Sequence, residues 1–258
     1  MKRGFTLVEL SIVLVIIGLL ISGLLVGQSL IESAKVQRLI REVDQYTIQI
    51  RLFKNKFRYL PGDFPNFVKI FGNTCDKPGA NTFCDGNGNG QILSIGYGQA
   101  MDVQRVFEHM YRGGVTQKSY LAEEWWPSSR SNPVSSISKA PSGVNSDIWE
   151  VSYFVTYPPH GNYGGGPAVN NPGNCFTLRP SDYNTWNTSR GSIEPSIGMA
   201  LDGKLDDGWP NTGDVRAYNP SALNNGTLIS CIKSANPATY YTSYADRGCN
   251  MYIKMSGF

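Results

Sequence analysis

The sequence has 258 residues, of which 41% are hydrophobic and 17% are charged. This is enough chain for one membrane segment and one soluble domain, or for two small domains. The formal net charge is +3, and Lys2 and Arg3 supply two of these charges. Because the remainder of the chain is nearly neutral, the charge balance argues against a general nucleic-acid-binding function.

The chain begins with a long apolar run. Only one formal charge, that of Glu9, falls between Phe5 and Val26, and a helix of about 20 residues is long enough to cross a bilayer. A carboxylate inside such a helix costs roughly 2.5–3.5 kcal/mol on insertion scales. The pattern therefore predicts a membrane-spanning helix in which Glu9 needs a partner.

Residues 2–9, KRGFTLVE, resemble the processing signal of type IV pilins and of the pseudopilins of type II secretion. The resemblance implies that a prepilin peptidase cleaves between Gly4 and Phe5 and methylates the new amino group of Phe5. It also implies that Glu9 is the acidic residue of the mature helix. Glu9 can neutralise either the Phe5 amine of its own chain or that of a neighbouring subunit, and only the second pairing sets an axial register for assembly. The partners it implies are the peptidase, other pilin-like subunits, the membrane and, indirectly, an assembly ATPase and its membrane platform.

The helix is predicted to continue beyond the membrane. Apolar or small side chains recur at helical spacing among charged ones, at Ile40, Val43, Thr47, Ile50 and Phe57. Pro61 and Gly62 end the pattern, because the residue before a proline disfavours the helical conformation. We expect a leader at 1–4, a helix of about 80 Å at 5–59 that spans the membrane at about 5–28, and a globular domain at 60–258.

The globular part is predicted to be rich in loops, since most of the Gly and Pro residues follow residue 60. Alternation over Trp149–Tyr157 predicts a strand, and Gln99–Tyr111 reads as a helix ended by Gly113 and Gly114. His109 in that helix is expected to be a hydrogen-bonded structural histidine. The fold class predicted is α+β, with a long N-terminal helix packed on a domain that holds an antiparallel sheet.

The five cysteines all follow the apolar run. No CxxC pair occurs and there are only two histidines, which argues against a structural zinc site. Disulfides in an oxidising compartment fit better, and we expect Cys75 to pair with Cys84 and Cys231 with Cys249, on two adjacent strands, leaving Cys175. The alternative is five unpaired thiols in a cytosolic domain.

Residues 85–91 follow the first half of a calcium loop. Oxygen ligands fall at positions one, three and five, and a backbone carbonyl at position seven, which are Asp85, Asn87, Asn89 and Gln91. Gly90 supplies the turn at position six, but position twelve is Gly96, so Asp102 or Glu108 would have to complete the site. The alternative is an Asn/Gly loop that is closed by a disulfide and binds nothing.

A second acidic cluster follows a predicted helix end, at Asp202, Asp206, Asp207 and Asp214. Carboxylates this close together repel one another, and calcium is the usual hard cation that holds them. The resemblance points the same way, because pseudopilins often hold calcium in a loop of the globular domain. The alternative is a solvated turn in which these residues only cap a helix.

The function that these patterns favour is a structural, non-catalytic pilin-like subunit of a type IV pilus or a type II secretion pseudopilus. The large globular part favours a minor or tip subunit. The alternative is a membrane-anchored periplasmic protein that binds calcium or hydrolyses a substrate, but no GxSxG or HExxH motif supports hydrolysis.

The expected location is the bacterial inner membrane, crossed once, with the domain in the periplasm. Positive charges at Lys35, Arg38 and Arg41 favour the opposite orientation, whereas the cysteines and the resemblance favour this one.

Overall fold

The computed structural model describes residues 6–72, 84–92, 102, 105–117, 147–154, 173–180, 191–219, 223–224, 227–228, 230–233 and 237–257. The helices in these ranges are α1 (Leu7–Phe57), α2 (Phe67–Phe71), α3 (Val106–Arg112) and α4 (Pro195–Leu205). The strands are β1 (Asp147–Phe154), β2 (Gly173–Pro180), β3 (Val215–Tyr218), β4 (Leu223–Asn224), β5 (Thr227–Leu228), β6 (Ile232–Lys233), β7 (Thr239–Tyr240) and β8 (Asn250–Lys254).

Helix α1 is 51 residues long and agrees closely with the helix predicted at 5–59. Thr6 caps its N-terminus, and Arg58 ends it with a left-handed backbone (φ 68°) whose N–H donates to the carbonyl of Lys54. The last helical residue, Phe57, therefore lies four residues before the predicted stop at Pro61. The division into leader, helix and domain stays a prediction.

The C-terminal half of α1 buries one stripe of side chains, at alternating steps of three and four residues. The buried residues are Val36, Leu39, Val43, Tyr46, Ile50 and Phe53. The predicted stripe shares only Val43 and Ile50 with it. Ile40, Thr47 and Phe57 are half-buried, since the first two lie one position further round the helix than Leu39 and Tyr46.

The main sheet has four strands in the order β1-β2-β8-β3, all antiparallel. Phe176 of β2 lies opposite Ile253 of β8, and Leu178 lies opposite Met251. All four side chains are buried, so the two middle strands form the sheet's part of the core. Strand β1 begins two residues before the predicted strand, and residues 155–157 of that prediction lie outside the described residues.

Tyr46 joins α1 to both α3 and the sheet. Its ring centroid lies 5.3 Å from that of Phe107 and 6.4 Å from that of Phe176. The fully buried Trp149 also reaches α1, because its indole Nε1 donates to Glu42 Oε2 at 2.6 Å. These contacts fix one half of α1 to the domain and confirm the predicted α+β class. Helix α3 begins at Val106, and residues 99–101, 103 and 104 of the predicted helix 99–111 lie outside the described residues.

Candidate functional site

Within the part of the chain that the structure describes, nothing covers the N-terminal half of α1. Residues 6–26 and 28–34 are all exposed, whereas burial against the domain begins at Val36. Among the described residues α1 is the one helix long and apolar enough to cross a membrane, and none of its apolar window is buried. Water is a poor solvent for such a surface, so the geometry suits a helix that lies in lipid or against other protein.

Glu9 forms a capping box with Thr6. The backbone N–H and the hydroxyl of Thr6 each donate to Glu9 Oε2 at 2.8 Å, and the N–H of Glu9 is 3.3 Å from the Thr6 hydroxyl oxygen. These bonds satisfy N–H groups that have no partner within the helix. Sequence reasoning missed this role of Thr6, although Thr-x-x-Glu before an apolar run is its usual signal. Gly4 and Phe5 lie outside the described residues, so cleavage and methylation there stay predictions.

The glycine-rich loop at 84–92 is organised around the carboxylate of Asp63, which sequence reasoning did not identify. Asp63 is 1% exposed. Its Oδ1 accepts from the N–H groups of Gly88 at 2.7 Å and Asn89 at 3.2 Å, and its Oδ2 accepts from that of Gly90 at 2.7 Å. Burial raises the pKa of Asp63, while these N–H bonds oppose the rise. The loop backbone thus holds an anion supplied by the chain itself.

Close approach explains one of the loop's glycines. The N–H of Gly86 donates to the carbonyl of Phe64 at 2.9 Å, and a Cβ on Gly86 would lie 2.2 Å from the backbone carbon of Asp63. Only glycine leaves room for two backbones at this distance. The segment after α1 and the loop therefore pack as one unit.

The three side chains among the predicted calcium ligands of this loop accept hydrogen bonds from the backbone, and the fourth ligand residue, Gln91, donates its N–H to one of them. Asp85 Oδ1 accepts from the N–H of Val68, at the start of α2, at 2.9 Å. Asn87 Oδ1 accepts from the N–H of Asn89, and Asn89 Oδ1 from that of Gln91, in two successive turns. The Asp85 carboxylate thus bonds to the start of α2, whereas the two asparagine side chains each close a turn within the loop. Calcium binding by this loop stays a prediction.

Two polar side chains tie the loop to the core. Asn174 of β2 accepts from the N–H of Ile92 and donates to the carbonyl of Gly90, both at 3.0 Å. His109 of α3 is 0% exposed. Its Nδ1 accepts from the N–H of Gly62 at 2.9 Å, and its Nε2 lies 3.0 Å from the carbonyl oxygen of Cys84. The prediction of a hydrogen-bonded structural histidine is confirmed.

His109 must be neutral to make both bonds. The Gly62 N–H needs a bare Nδ1, so the ring proton lies on Nε2 and is donated to Cys84. Its ring stacks on Phe67, with centroids 4.1 Å apart and planes 9° apart. Burial lowers the pKa of His109 to about 3.

The structure brings together three carboxylates at the end of α4. One oxygen each of Asp202, Asp206 and Asp207 lies within 4.8 Å of the others. Asp202 is buried and accepts from the hydroxyl of Tyr240 at 2.7 Å and from the N–H of Gly208 at 3.1 Å. Burial raises the pKa of Asp202 to about 6.

The other carboxylates of this turn are exposed and also accept from the chain. Asp206 Oδ2 accepts from the N–H groups of Asp214 and Val215, and Asp207 accepts from the N–H of Trp209 and the hydroxyl of Thr212. Asp214 Oδ2 instead accepts from Ser256 and is not part of the three-carboxylate group. Three of the four aspartates predicted as ligands thus lie together.

Cys231 and Cys249, paired in the sequence analysis, form a disulfide, but their segments are not adjacent strands. Strand β6 pairs with β7, and β8 pairs with β2 and β3. Cys84 is also disulfide-bonded, and Cys75 lies outside the described residues. Cys175 is a free, buried thiol, and burial raises its pKa to about 12, which makes it unreactive.

Comparison with known proteins agrees with the geometry of α1. Residues 1–25 match the family model described as the prokaryotic N-terminal methylation motif. Searches of curated proteins and of solved structures gave no match. The exposed apolar half of α1 is consistent with a single membrane anchor. The chain therefore carries, at residues 1–25, the prepilin-type signal of the type IV pilin and pseudopilin family.

Proposed function

We propose that the protein is held in the bacterial inner membrane by α1, with its domain in the periplasm, until a prepilin peptidase cleaves it between Gly4 and Phe5 and methylates Phe5. The mature subunit then joins a type IV pilus or a type II secretion pseudopilus with other pilin-like subunits. An assembly ATPase and its membrane platform act on it indirectly. The observation that carries this proposal is the methylation motif at the start of a helix whose first half is exposed on every side.

The free energy of assembly comes from transferring that half of α1 from lipid to protein. Lipid tails are as apolar as leucine, so helices associate in a membrane through close packing and polar contacts more than through the hydrophobic effect. A Cβ added at Gly18 or Gly23 would meet no atom within 4 Å beyond the backbone of the helix itself, so both glycines give a neighbouring helix room to approach. The apolar surface can thus contact lipid first and other subunits afterwards.

Glu9 gives the packing a register. Cleavage leaves a positive amine on Phe5, and Glu9 is the one anion in the apolar run. Within the subunit, Thr6 already lowers the cost of the charge through the capping box. Pairing of Glu9 with the amine of a neighbour places an opposite charge beside the carboxylate in a medium of low dielectric constant. The attraction between two charges is stronger there than in water. Such a pair forms only when the two helices are offset by about one turn.

Replacement of Glu9 tests this step. We expect Glu9→Ala to insert in the membrane and be cleaved as usual but to fail to assemble. The matched control is Thr6→Val, which removes the side-chain half of the capping box and keeps the carboxylate, and it should still assemble. Filaments are measured by shearing and immunoblotting, and membrane insertion by fractionation. Normal filaments from Glu9→Ala would refute the charge-pairing role.

We also propose that calcium binds the turn after α4, with Asp202, Asp206 and Asp207 as ligands. Their grouping supports this, because three carboxylates within 4.8 Å of one another repel unless a cation or protons neutralise them. The ion would stabilise the folded domain by binding it in preference to the unfolded chain. We expect calcium to raise the melting temperature and EDTA to lower it, and the Asp206→Asn variant to lose this response. An unchanged melting temperature with EDTA would refute the proposal.

A further inference from the structure

The loop at 84–92 contains three successive pairs in which an Asp or Asn precedes a glycine: Asp85-Gly86, Asn87-Gly88 and Asn89-Gly90. Asn-Gly is the pair at which a polypeptide deamidates most readily. Glycine has no Cβ, so its backbone nitrogen can approach Cγ of the preceding asparagine with little hindrance. The two Asn-Gly pairs thus place two reactive side chains in one loop.

The reaction at such a pair needs only water. The glycine nitrogen loses its proton and bonds to the asparagine Cγ, while the bond between Cγ and the side-chain nitrogen breaks and ammonia leaves. Water then opens the five-membered succinimide ring at one of its two carbonyls, which gives aspartate or isoaspartate. The first step therefore requires a glycine N–H that can lose its proton and turn toward Cγ.

The fold holds each of these glycine nitrogens on the segment that follows α1. The N–H of Gly88 donates both to the backbone carbonyl of Asp63 at 3.0 Å and to its Oδ1 at 2.7 Å. The N–H of Gly90 donates to Asp63 Oδ2 at 2.7 Å. The N–H of Gly86 donates to the carbonyl of Phe64 at 2.9 Å. Each nitrogen that would attack a side chain in this loop is thus already bonded to an oxygen.

The carboxylate of Asp63 opposes the first step more strongly than a neutral acceptor would. Loss of the proton from Gly88 or Gly90 would leave an amide anion at hydrogen-bond distance from a carboxylate that is 1% exposed. Two negative charges repel strongly where water does not screen them. Hydrogen bonds to a charged acceptor are also roughly twice as strong as those between neutral groups, so the loop backbone is firmly held.

The asparagine side chains are fixed as well. Asn87 Oδ1 accepts from the N–H of Asn89 at 3.0 Å, and Asn89 Oδ1 accepts from the N–H of Gln91 at 2.8 Å. Each side chain is therefore bonded to the nitrogen two positions ahead and not to that of the following glycine. Both asparagines are exposed, so burial does not protect them from water.

We propose that Asn87 and Asn89 are deamidation sites that Asp63 protects while the loop is closed. They react when the loop opens or before the domain has folded. Either product disfavours closure, because aspartate adds a negative charge near Asp63 and isoaspartate adds one carbon to the backbone between the bonded N–H groups. Ammonia is lost, so the change does not reverse. The extent of deamidation therefore measures the time that a chain has spent with this loop open.

Peptide mapping of the full chain in detergent tests the proposal. The folded protein and the protein unfolded in urea are incubated in the same mildly alkaline buffer. Liquid chromatography with mass spectrometry then separates the asparagine, aspartate and isoaspartate forms of each peptide. We expect deamidation of Asn87 and Asn89 to be at least about tenfold slower in the folded protein, since the reaction then requires opening of the loop.

Asn225, which also precedes a glycine, shows in the urea sample that the conditions support the reaction. Equal rates at Asn87 and Asn89 in the folded and urea samples would overturn the proposal. Unmodified Asn87 and Asn89 in a urea sample in which Asn225 has reacted would overturn it as well.

Replacement of Asp63 separates its role from that of overall stability. We expect Asp63→Asn to speed deamidation at both asparagines at least about tenfold, because loss of a hydrogen bond to a charged group shifts an opening equilibrium by a factor of this size. Leu201→Ala is the matched control. It destabilises the domain at a fully buried position of α4 and keeps Asp63, so its folded form should react like the unmodified protein. Equal rates in the two variants would overturn the proposal, and so would a slower reaction in Asp63→Asn, which would make the carboxylate a base that promotes the attack.

Hydrogen exchange gives a measurement that does not depend on the folding of a variant. In the unmodified protein the N–H groups of Gly88 and Gly90 should exchange at least about tenfold more slowly than in the unfolded chain. Exchange at the unfolded rate would show that these nitrogens are not held, and would overturn the proposal. Processing and assembly do not enter this chemistry, so such a failure would leave the proposed function intact.

Discussion

His109 predicts a specific loss of stability in mild acid. In the folded protein its Nδ1 accepts the N–H of Gly62 and its Nε2–H donates to Cys84. Protonation would place a second N–H at Nδ1, directly against the N–H of Gly62, in a site with no exposure to water. Burial disfavours the charged ring, so the pKa of His109 is lowered from 6.5 to about 3 and the ring is neutral in the folded state.

The sign and the size follow from linkage. Between pH 6.5 and 3 the unfolded chain binds a proton at this histidine and the folded chain does not, so stability falls as the pH falls. The contribution is fully present above pH 6.5 and is lost at up to about 1.4 kcal/mol per pH unit below it. From pH 7.5 to pH 5 the loss due to His109 is about 2 kcal/mol.

The measurement is urea denaturation of the full chain in detergent at several pH values, followed by tryptophan fluorescence. The raised pKa of Asp202 acts in the opposite direction over this range, so the prediction is a difference between two proteins. From pH 7.5 to 5 the free energy of unfolding of the unmodified protein should lose about 2 kcal/mol relative to that of His109→Gln. His109→Gln should be less stable at pH 7.5 and should lose this pH dependence. Leu201→Ala opens a cavity at a fully buried position and should lower stability by about 2–5 kcal/mol. This variant should keep the pH dependence that is due to His109. An equal pH dependence in His109→Gln would refute the reasoning.

Two further predictions concern the same domain. Asp63→Asn replaces an oxygen that accepts from a loop N–H by an N–H donor, and should lower the free energy of unfolding by about 2 kcal/mol. The exposed Asp44→Asn should change it by less than about 0.5 kcal/mol, and equal values for the two would contradict the role of Asp63. Replacing Cys231 and Cys249 together by Ser opens a loop with a sequence separation of 18 and should cost about 3 kcal/mol on the chain-entropy model. A loss below about 1 kcal/mol in thermal or urea denaturation would contradict a stabilising disulfide.

Local sequence patterns predicted the elements that depend on local physics. The bilayer-length apolar run, the stop before Pro61 and the alternation after Trp149 identified α1 and β1 within a few residues. The buried stripe of α1 was harder to predict, because apolar residues lie on more than one side of the helix and the domain decides which side is covered. Long-range packing, and not periodicity, selected Leu39 and Tyr46 over Ile40 and Thr47.

The candidate sites show the same limit. The Thr6–Glu9 capping box is a local pattern and was readable in the sequence. Asp63 was not predictable as the centre of the loop at 84–92, because its partners Gly88, Asn89 and Gly90 lie 25 to 27 positions away and contribute only backbone N–H groups. The spacing of acidic and amide residues indicates ligands, whereas the fold decides whether their oxygens accept from the backbone instead.

Cleavage as a prepilin and assembly through the N-terminal helix are the two steps proposed for this chain. The first is measured by intact-mass and N-terminal peptide mass spectrometry of the protein from membranes of a strain with an active prepilin peptidase. We expect a mature chain that starts at Phe5 and carries one added methyl group on its amine. A chain that retains Met1, or one cleaved after the apolar run, would contradict it.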